Sequence, residues 1–178
     1  MKFIFRSAFS FCLLFFVFQQ VHATHYRAGE ILYRLIGNYQ YEVTVITYAK
    51  YNGISIQADR DAVRINWGDG SSDSLCRTNG ALEPSGCHAG VIIDTSPISI
   101  KKNEYVGTHT YAGFPPTGFY LISFTDNNRI SGIANIGNSV NVAFYVEDTL
   151  KYPTDLANIG TNSGPILYHP PIDYANIF

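Results

Sequence analysis

The stretch RINWGDGSSDSLC, residues 64 to 76, decides the fold. Its first residues alternate apolar and polar side chains and end at Trp67, the only tryptophan of the chain, which Gly68-Asp69-Gly70 follows at once. Alternation with a period of two is typical of a half-buried strand, and Gly-Asp-Gly is turn chemistry. The stretch therefore predicts a strand that ends in a tight turn. Three roles remain open for its aspartates: metal ligand, catalytic acid or turn former.

The same alternation recurs along the chain and predicts further strands with one buried face. The predicted inward faces are Val63, Ile65 and Trp67; Tyr41, Val43 and Val45; Tyr120, Ile122 and Phe124; and Val140, Val142, Phe144 and Val146. Clusters of Gly, Asn, Pro and Asp separate these runs, and we find no apolar stripe at helical spacing. About seven short strands joined by turns predict an all-β, antiparallel β-sandwich.

The N-terminus predicts export. Residues 1–23 combine a basic start with an apolar run, and Val21 and Ala23 stand at the small-residue positions of a cleavage site. This is the pattern of a secretory signal peptide cleaved after Ala23. The alternative, a membrane anchor, is disfavoured because a span needs roughly 20 apolar residues. We expect a secreted or cell-surface protein with no membrane insertion after cleavage.

The rest of the chain divides into a domain and a tail. Residues 24–150 carry the strand patterns, whereas residues 151–178 are rich in Pro and Gly and end in the apolar YANIF. We expect the tail to be the start of a linker to a missing domain, as in a truncated gene product.

Charge and cysteine content narrow the class of partner and compartment. Twelve Lys and Arg stand against fourteen Asp and Glu, and Lys101-Lys102 is the only adjacent basic pair, so nucleic-acid binding has no electrostatic support.

Cys76 and Cys87 are the two cysteines left after signal cleavage. In an exported chain they are expected to form a disulfide, which would stabilise the fold by roughly 3 kcal/mol. Two free thiols are the alternative.

Three blocks in order carry a resemblance to a known family. They are Trp67-Gly68-Asp69-Gly70, His109-Thr110-Tyr111 and Gly118-x-Tyr120. This set resembles the PKD (polycystic kidney disease) domain, an immunoglobulin-like sandwich. Residues 25–48, 105–111 and 138–150 also resemble the N-terminal module of large secreted proteins of the Bacteroidota, which often end in a gliding-motility-associated, type IX secretion sorting domain. The resemblance implies an immunoglobulin-like fold and an adhesion or spacer role at the cell surface.

Structural roles suffice for these motif residues. Trp67 is expected in the core, and Asp69 is expected to accept backbone N–H bonds in a turn that Gly68 and Gly70 permit. Tyr120, two residues after Gly118, fits a tyrosine corner, in which the hydroxyl bonds to nearby backbone. His109 and Tyr111 are expected on a neighbouring strand close to the turn.

Calcium is the sharpest alternative to a purely structural turn. Asp59, Asp61, Asp69 and Asp73 offer hard oxygen ligands, predicted near one end of a hairpin, but their spacing does not match an EF-hand loop. Arg60 could instead serve as counter-charge to the neighbouring aspartates. We therefore expect structural turn acids and no bound metal or cofactor.

No motif pairs a nucleophile with a base, so we expect a non-catalytic protein rather than an enzyme. Two functions remain. The first is adhesion, protein interaction or spacing, with an unknown protein or polysaccharide at the cell surface as partner. The alternative is a carbohydrate-binding module that uses loop aromatics, for which the candidates are Tyr39, Tyr51, Phe114 and Tyr152.

Overall fold

The protein is an all-β antiparallel sandwich, as the sequence predicts. The computed structural model describes residues 25–113, 115, 117–151 and 163–164. Within them lie eight strands: β1 (Tyr26–Gly37), β2 (Gln40–Lys50), β3 (Ala62–Asn66), β4 (Ser72–Cys76), β5 (Val91–Asp94), β6 (Ile100–Thr110), β7 (Phe119–Asp126) and β8 (Phe144–Lys151). Two short 3-10 helices, Gly53–Ala58 and Ser139–Asn141, lie in the connections. The expected signal peptide and most of the expected tail lie outside the described residues.

The strands form two four-stranded sheets. The first sheet has the order β1-β2-β6-β5 and the second the order β4-β3-β7-β8, and the neighbouring strands pair antiparallel. The sheets pack face to face, because each strand buries one row of apolar side chains. Trp67, Ile65, Tyr105 and Ile122 are among the fully buried side chains between them.

Most of the predicted inward faces are confirmed, and one is partly wrong. The rows that begin at Tyr41, Val63 and Tyr120 are buried as predicted. The run at Val140 differs, because a 3-10 helix occupies Ser139–Asn141 and β8 begins only at Phe144. Val142 is exposed. The left-handed backbone of Asn138 opens this helical turn, so the alternation of residues 140–142 does not reflect a strand.

The sandwich has an entry end and an exit end. At the entry end, where β1 and β8 both begin, the ring of Tyr26 stacks on Phe144 with 5.0 Å between the ring centres. At the exit end, the hydroxyl of Tyr33 on β1 donates to the carbonyl of Thr149, near the end of β8, over 3.4 Å. The first and last strands therefore run in the same direction in facing sheets.

The predicted disulfide is confirmed. Cys76, the last residue of β4, is bonded to Cys87, with 5.3 Å between the two Cα atoms. The enclosed loop lies at the entry end, since Cys76 pairs with Ala62 at the start of β3. None of the helices among the described residues has the length and hydropathy needed to cross a membrane.

Candidate functional site

The motif residues meet in one place, which we call the exit-end cluster (Trp67, Asp69, His109, Tyr111 and Tyr120). Trp67 is fully buried, and its Nε1 donates to Oδ2 of Asp73 over 2.7 Å. Its backbone nitrogen donates to the carbonyl of Ser71 over 3.1 Å, which closes the Gly-Asp-Gly turn. Both donors of the tryptophan are thus satisfied, one by the turn and one by β4.

Two side chains from the first sheet, those of His109 and Tyr111, cover this cluster. The imidazole of His109, on β6, lies parallel to the Trp67 indole at 4.8 Å between ring centres and 7° between planes. Its Nε2 lies 2.7 Å from Oδ2 of Asp69. The hydroxyl of Tyr111 donates to the carbonyl of Trp67 over 2.9 Å. The expected proximity is therefore present, but it arises across the sandwich and not from a strand in the same sheet.

Asp69 accepts the hydrogen bonds that hold the turn together. Its Oδ1 accepts from the backbone nitrogen of Ser71 at 2.9 Å and from the Ser71 hydroxyl at 2.6 Å. Partial burial alone would raise the pKa of Asp69, but the bonds from Ser71 and His109 outweigh it and hold the pKa below its usual value. The carboxylate is therefore ionised and occupied on both oxygens, as a turn former requires.

The two glycines of the turn are needed for different reasons. Gly68 and Gly70 both have positive φ angles, +85° and +92°. A Cβ on Gly68 would lie 2.6 Å from backbone atoms of Leu121, whereas a Cβ on Gly70 would meet nothing within 4 Å. A glycine is thus required at position 68 by the close approach of β7 and by the positive φ angle, and at position 70 by the positive φ angle alone.

Tyr120 has the contact expected of a tyrosine corner. Its hydroxyl donates to the carbonyl of Gly113 over 2.9 Å, and its ring stacks on Tyr111 with 3.9 Å between centres. Gly118 has a φ of +81° just before β7 begins. Burial raises the pKa of Tyr111, so this hydroxyl stays protonated and able to donate at physiological pH.

A second group of charges, the entry-end cluster (His25, Asp59, Arg77 and Lys101), lies at the opposite end of β3. Oδ2 of Asp59 lies 2.6 Å from the Lys101 ammonium and 3.1 Å from the Arg77 guanidinium. His25 is fully buried, with its Nε2 3.6 Å from Oδ1 of Asp59. Arg77 also donates to the carbonyls of Ala89 and Arg60. Asp59 thus pairs with Lys101 and shares Arg77 with Asp61, in a space with little water access.

The electrostatics of the entry-end cluster follow from its geometry. Burial alone would raise the pKa of Asp59, but the contact with His25, the hydrogen bond from Lys101 and the charge of Arg77 lower it to about 2. Desolvation raises the pKa of Tyr105 to about 12, against the opposing effect of Arg77. The Tyr105 hydroxyl donates to the carbonyl of Arg60 over 2.7 Å, which ties β6 to the connection before β3.

The four calcium candidates divide between the two ends. Asp59 and Asp61 precede β3, and Asp69 and Asp73 follow it, so the expectation that they share one end of a hairpin is wrong. The expected counter-charge role of Arg60 is also wrong, because Arg60 pairs with Asp126 at 3.3 Å. In the described part of the chain, no group of three or more His, Cys, Asp or Glu is arranged to hold a metal ion.

Arg77 fills the role expected of Arg60, and sequence reasoning did not find it. It lies 3.5 Å from Asp61 and immediately follows Cys76. A buried arginine has no pattern of its own in sequence. Its position next to a disulfide was the available signal, since the bridge holds the start of the loop against the sheet.

The loop aromatics proposed for sugar binding are only partly accounted for. Tyr39 packs against the core, and one face of the Tyr51 ring lies 4.3 Å from the Lys101 ammonium. Neither therefore presents a fully free ring. Phe114 and Tyr152 lie outside the described residues.

Comparisons with known proteins give no relative for this chain. No family model, no curated protein and no solved structure matches it.

Proposed function

We propose that the protein is a non-catalytic extracellular module, PKD-like and immunoglobulin-like, that acts in adhesion, protein interaction or spacing as the front part of a larger surface protein. The observation that carries this proposal is the disulfide-closed β-sandwich, in which the acid and base side chains bond the chain's own turns and loops. The first and last strands, β1 and β8, run in the same direction, and Ser163 beyond β8 pairs antiparallel with Arg34 on β1.

The disulfide supports an extracellular site of action. Such bonds persist in oxidising compartments and are rare in the cytosol. The bridge between Cys76 and Cys87 closes the loop that carries Arg77 into the entry-end cluster. Together with the signal-peptide pattern of residues 1–23, it favours an exported protein.

The contacts of the acid–base side chains support a structural rather than a catalytic use. Asp69 and His109 bond each other and the turn, and Asp59 is held by Lys101 and Arg77. A catalytic acid or base needs a side reachable by substrate. Here Asp69 accepts bonds on both oxygens and Oδ2 of Asp59 contacts Lys101 and Arg77, so these groups stabilise the chain's own turns and loops.

Export of the full chain tests this proposal. The 178-residue chain, expressed with residues 1–23 in a Gram-negative bacterium, should be recovered outside the cytoplasm with Thr24 as its first residue. The same preparation should hydrolyse none of a panel of ester, peptide and glycoside substrates. Retention in the cytoplasm with Met1 intact would contradict the extracellular role. Turnover that Asp69→Asn or Asp59→Asn removes would contradict the non-catalytic role.

A further inference from the structure

The outer face of the second sheet carries an open polar groove. It has a volume of about 410 Å³ and runs between β4, β3 and β7 beside the Gly-Asp-Gly turn. Its side chains are polar and mostly short: Arg64, Asn66, Ser71, Ser72, Ser123 and Thr125. We call this surface the serine groove. The groove lies on the outer face of the sheet, whereas Trp67 packs in the core on the inner face. The polar side chains of the groove therefore take no part in the packing around Trp67.

Strand register places these side chains in a row across the sheet. Asn66 pairs with Ser72 on one side and with Ser123 on the other. Ser123 in turn pairs with Glu147 on β8. Because residues directly opposite each other on an antiparallel sheet project from the same face, these four side chains form one continuous polar line.

The groove is held in shape by its own hydrogen bonds. The Arg64 guanidinium donates to the Ser72 hydroxyl from Nε at 3.0 Å and from Nη2 at 2.7 Å. Oδ1 of Asn66 accepts from the backbone nitrogen of Gly68 over 2.9 Å, and this bond fixes the orientation of the side-chain amide. The arginine and the amide are therefore oriented before any ligand arrives, which reduces the entropy cost of binding.

An exposed aromatic ring lies next to this line. Tyr145 on β8 pairs with Thr125, a residue of the groove, and is 47% exposed. Its hydroxyl donates to Oε2 of Glu147 over 2.5 Å. Since Glu147 lies towards the exit end of the sheet from Tyr145, the ring lies along the strand beside the groove.

From this arrangement we propose that the serine groove, with Tyr145 beside it, binds an internal segment of a neutral polysaccharide. The groove offers donors and acceptors in mixed order, which matches the hydroxyl groups of sugars. A single cation, Arg64, and the nearby Glu147 leave the surface close to neutral, so an acidic polymer gains little. A ring such as that of Tyr145 supplies an apolar face for a sugar ring beside placed polar groups.

The shape of the groove agrees with a polymer and not with a small metabolite. It is open along the sheet, as a site for an internal chain segment must be, whereas sites for small ligands bury most of the ligand surface. The inference rests on the proposed function, because it names the surface partner of the extracellular module. It differs from the loop-aromatic hypothesis in using Tyr145 on a strand and the sheet face.

Affinity electrophoresis of the exported chain tests the proposal. The gels contain laminarin, xylan or mannan as neutral polymers and alginate as the acidic one. At least one neutral polymer should retard the chain. Tyr145→Ala, which removes the ring, and Ser123→Tyr, which fills the groove, should each weaken retardation about tenfold or more, as loss of a central aromatic contact does.

Ile36→Ala is the control. Ile36 is 41% exposed on β1 in the first sheet, whereas the groove lies on the second sheet. Its removal should leave retardation unchanged. Melting temperatures of all three variants within a few degrees of the parent would show that folding is intact.

Three outcomes would overturn the proposal: retardation by none of the neutral polymers, retardation by alginate alone, or retardation that Tyr145→Ala and Ser123→Tyr leave unchanged. Correct export and absence of hydrolysis, measured on the same preparation, would then still stand. Failure of the groove and failure of the proposed function are thus separate results.

Discussion

The hydroxyl of Tyr111 donates a 2.9 Å hydrogen bond to the main-chain carbonyl of Trp67. Tyr111 follows the last residue of β6 in the first sheet, and Trp67 follows the last residue of β3 in the second. The bond therefore ties the ends of two strands together across the core. The Gly-Asp-Gly turn begins at this anchored point, and its position depends on contacts that no local sequence rule describes.

Tyr111→Phe should destabilise the protein by about 1–2 kcal/mol, because it leaves the buried carbonyl of Trp67 without this donor. Urea unfolding followed by Trp67 fluorescence measures the change. Tyr145→Phe is a control, since the Tyr145 hydroxyl bonds the exposed Glu147 and its loss should have little effect. Equal stability of Tyr111→Phe and the parent would show that the bond is not made in solution.

Gly70→Ala and Gly68→Ala should differ in cost although both positions have positive φ. Gly70→Ala should cost about 1–2 kcal/mol, the range for a side chain held in this backbone region. Gly68→Ala should cost more, beyond about 3 kcal/mol, because its Cβ would also meet the Leu121 backbone at 2.6 Å. Thermal unfolding of the two variants decides the order. The reverse order would contradict the close approach of Gly68 to β7.

The entry-end cluster should make stability depend on acid pH. The pKa of Asp59 is lowered to about 2 from 3.8, so its contribution is fully present above the unfolded value and is lost as pH falls through the folded value. The shift corresponds to about 2 kcal/mol. Unfolding free energies at pH 7 and pH 2 measure it, and the gap between the parent and Asp59→Asn should shrink by about that amount at pH 2.

Asp61→Asn serves as the control for this pH effect. Asp61 also lies near Arg77, but its side chain is 49% exposed. Solvent therefore screens the pair, and this substitution should change the unfolding free energy at pH 7 by less than about 1 kcal/mol. A gap between the parent and Asp59→Asn that stays constant from pH 7 to pH 2 would contradict the account of the cluster.

The disulfide should stabilise the fold by roughly 3 kcal/mol, as expected for a short closed loop. The double variant Cys76→Ser with Cys87→Ser should unfold at lower urea concentration than the oxidised parent. The parent under reducing conditions should match the double variant. If reduction leaves the unfolding midpoint of the parent unchanged, the bridge contributes nothing to the folded state.

Much of the fold could be predicted from local patterns. The alternation around Ile65, Ile122 and Val43 fixed the buried faces because a strand has a period of two and a single core to face. Val142 shows the limit of this rule. An apolar residue that alternates with polar neighbours can still lie in a helical turn when a left-handed residue, here Asn138, redirects the backbone.

The long-range pairings could not be predicted. Arg77 and Lys101 reach Asp59 from distant strands, and His109 reaches Asp69 across the two sheets. Such partners depend on sheet order and register, which are properties of the whole fold. The sequence indicated Asp59, Asp69 and His109 as special side chains but not Arg77 or Lys101.

The central claim is that the Gly-Asp-Gly turn and its histidine stabilise the fold. A double-mutant cycle with Asp69→Asn, His109→Gln and the combined variant tests it, with the unfolding free energy at pH 7 and glycoside, ester and peptide hydrolysis measured on every protein. Because Nε2 of His109 lies 2.7 Å from Oδ2 of Asp69, we expect a coupling energy of about 1 kcal/mol and hydrolysis in none of the four proteins. Zero coupling, together with a hydrolytic activity of the parent that Asp69→Asn abolishes at unchanged stability, would contradict the account.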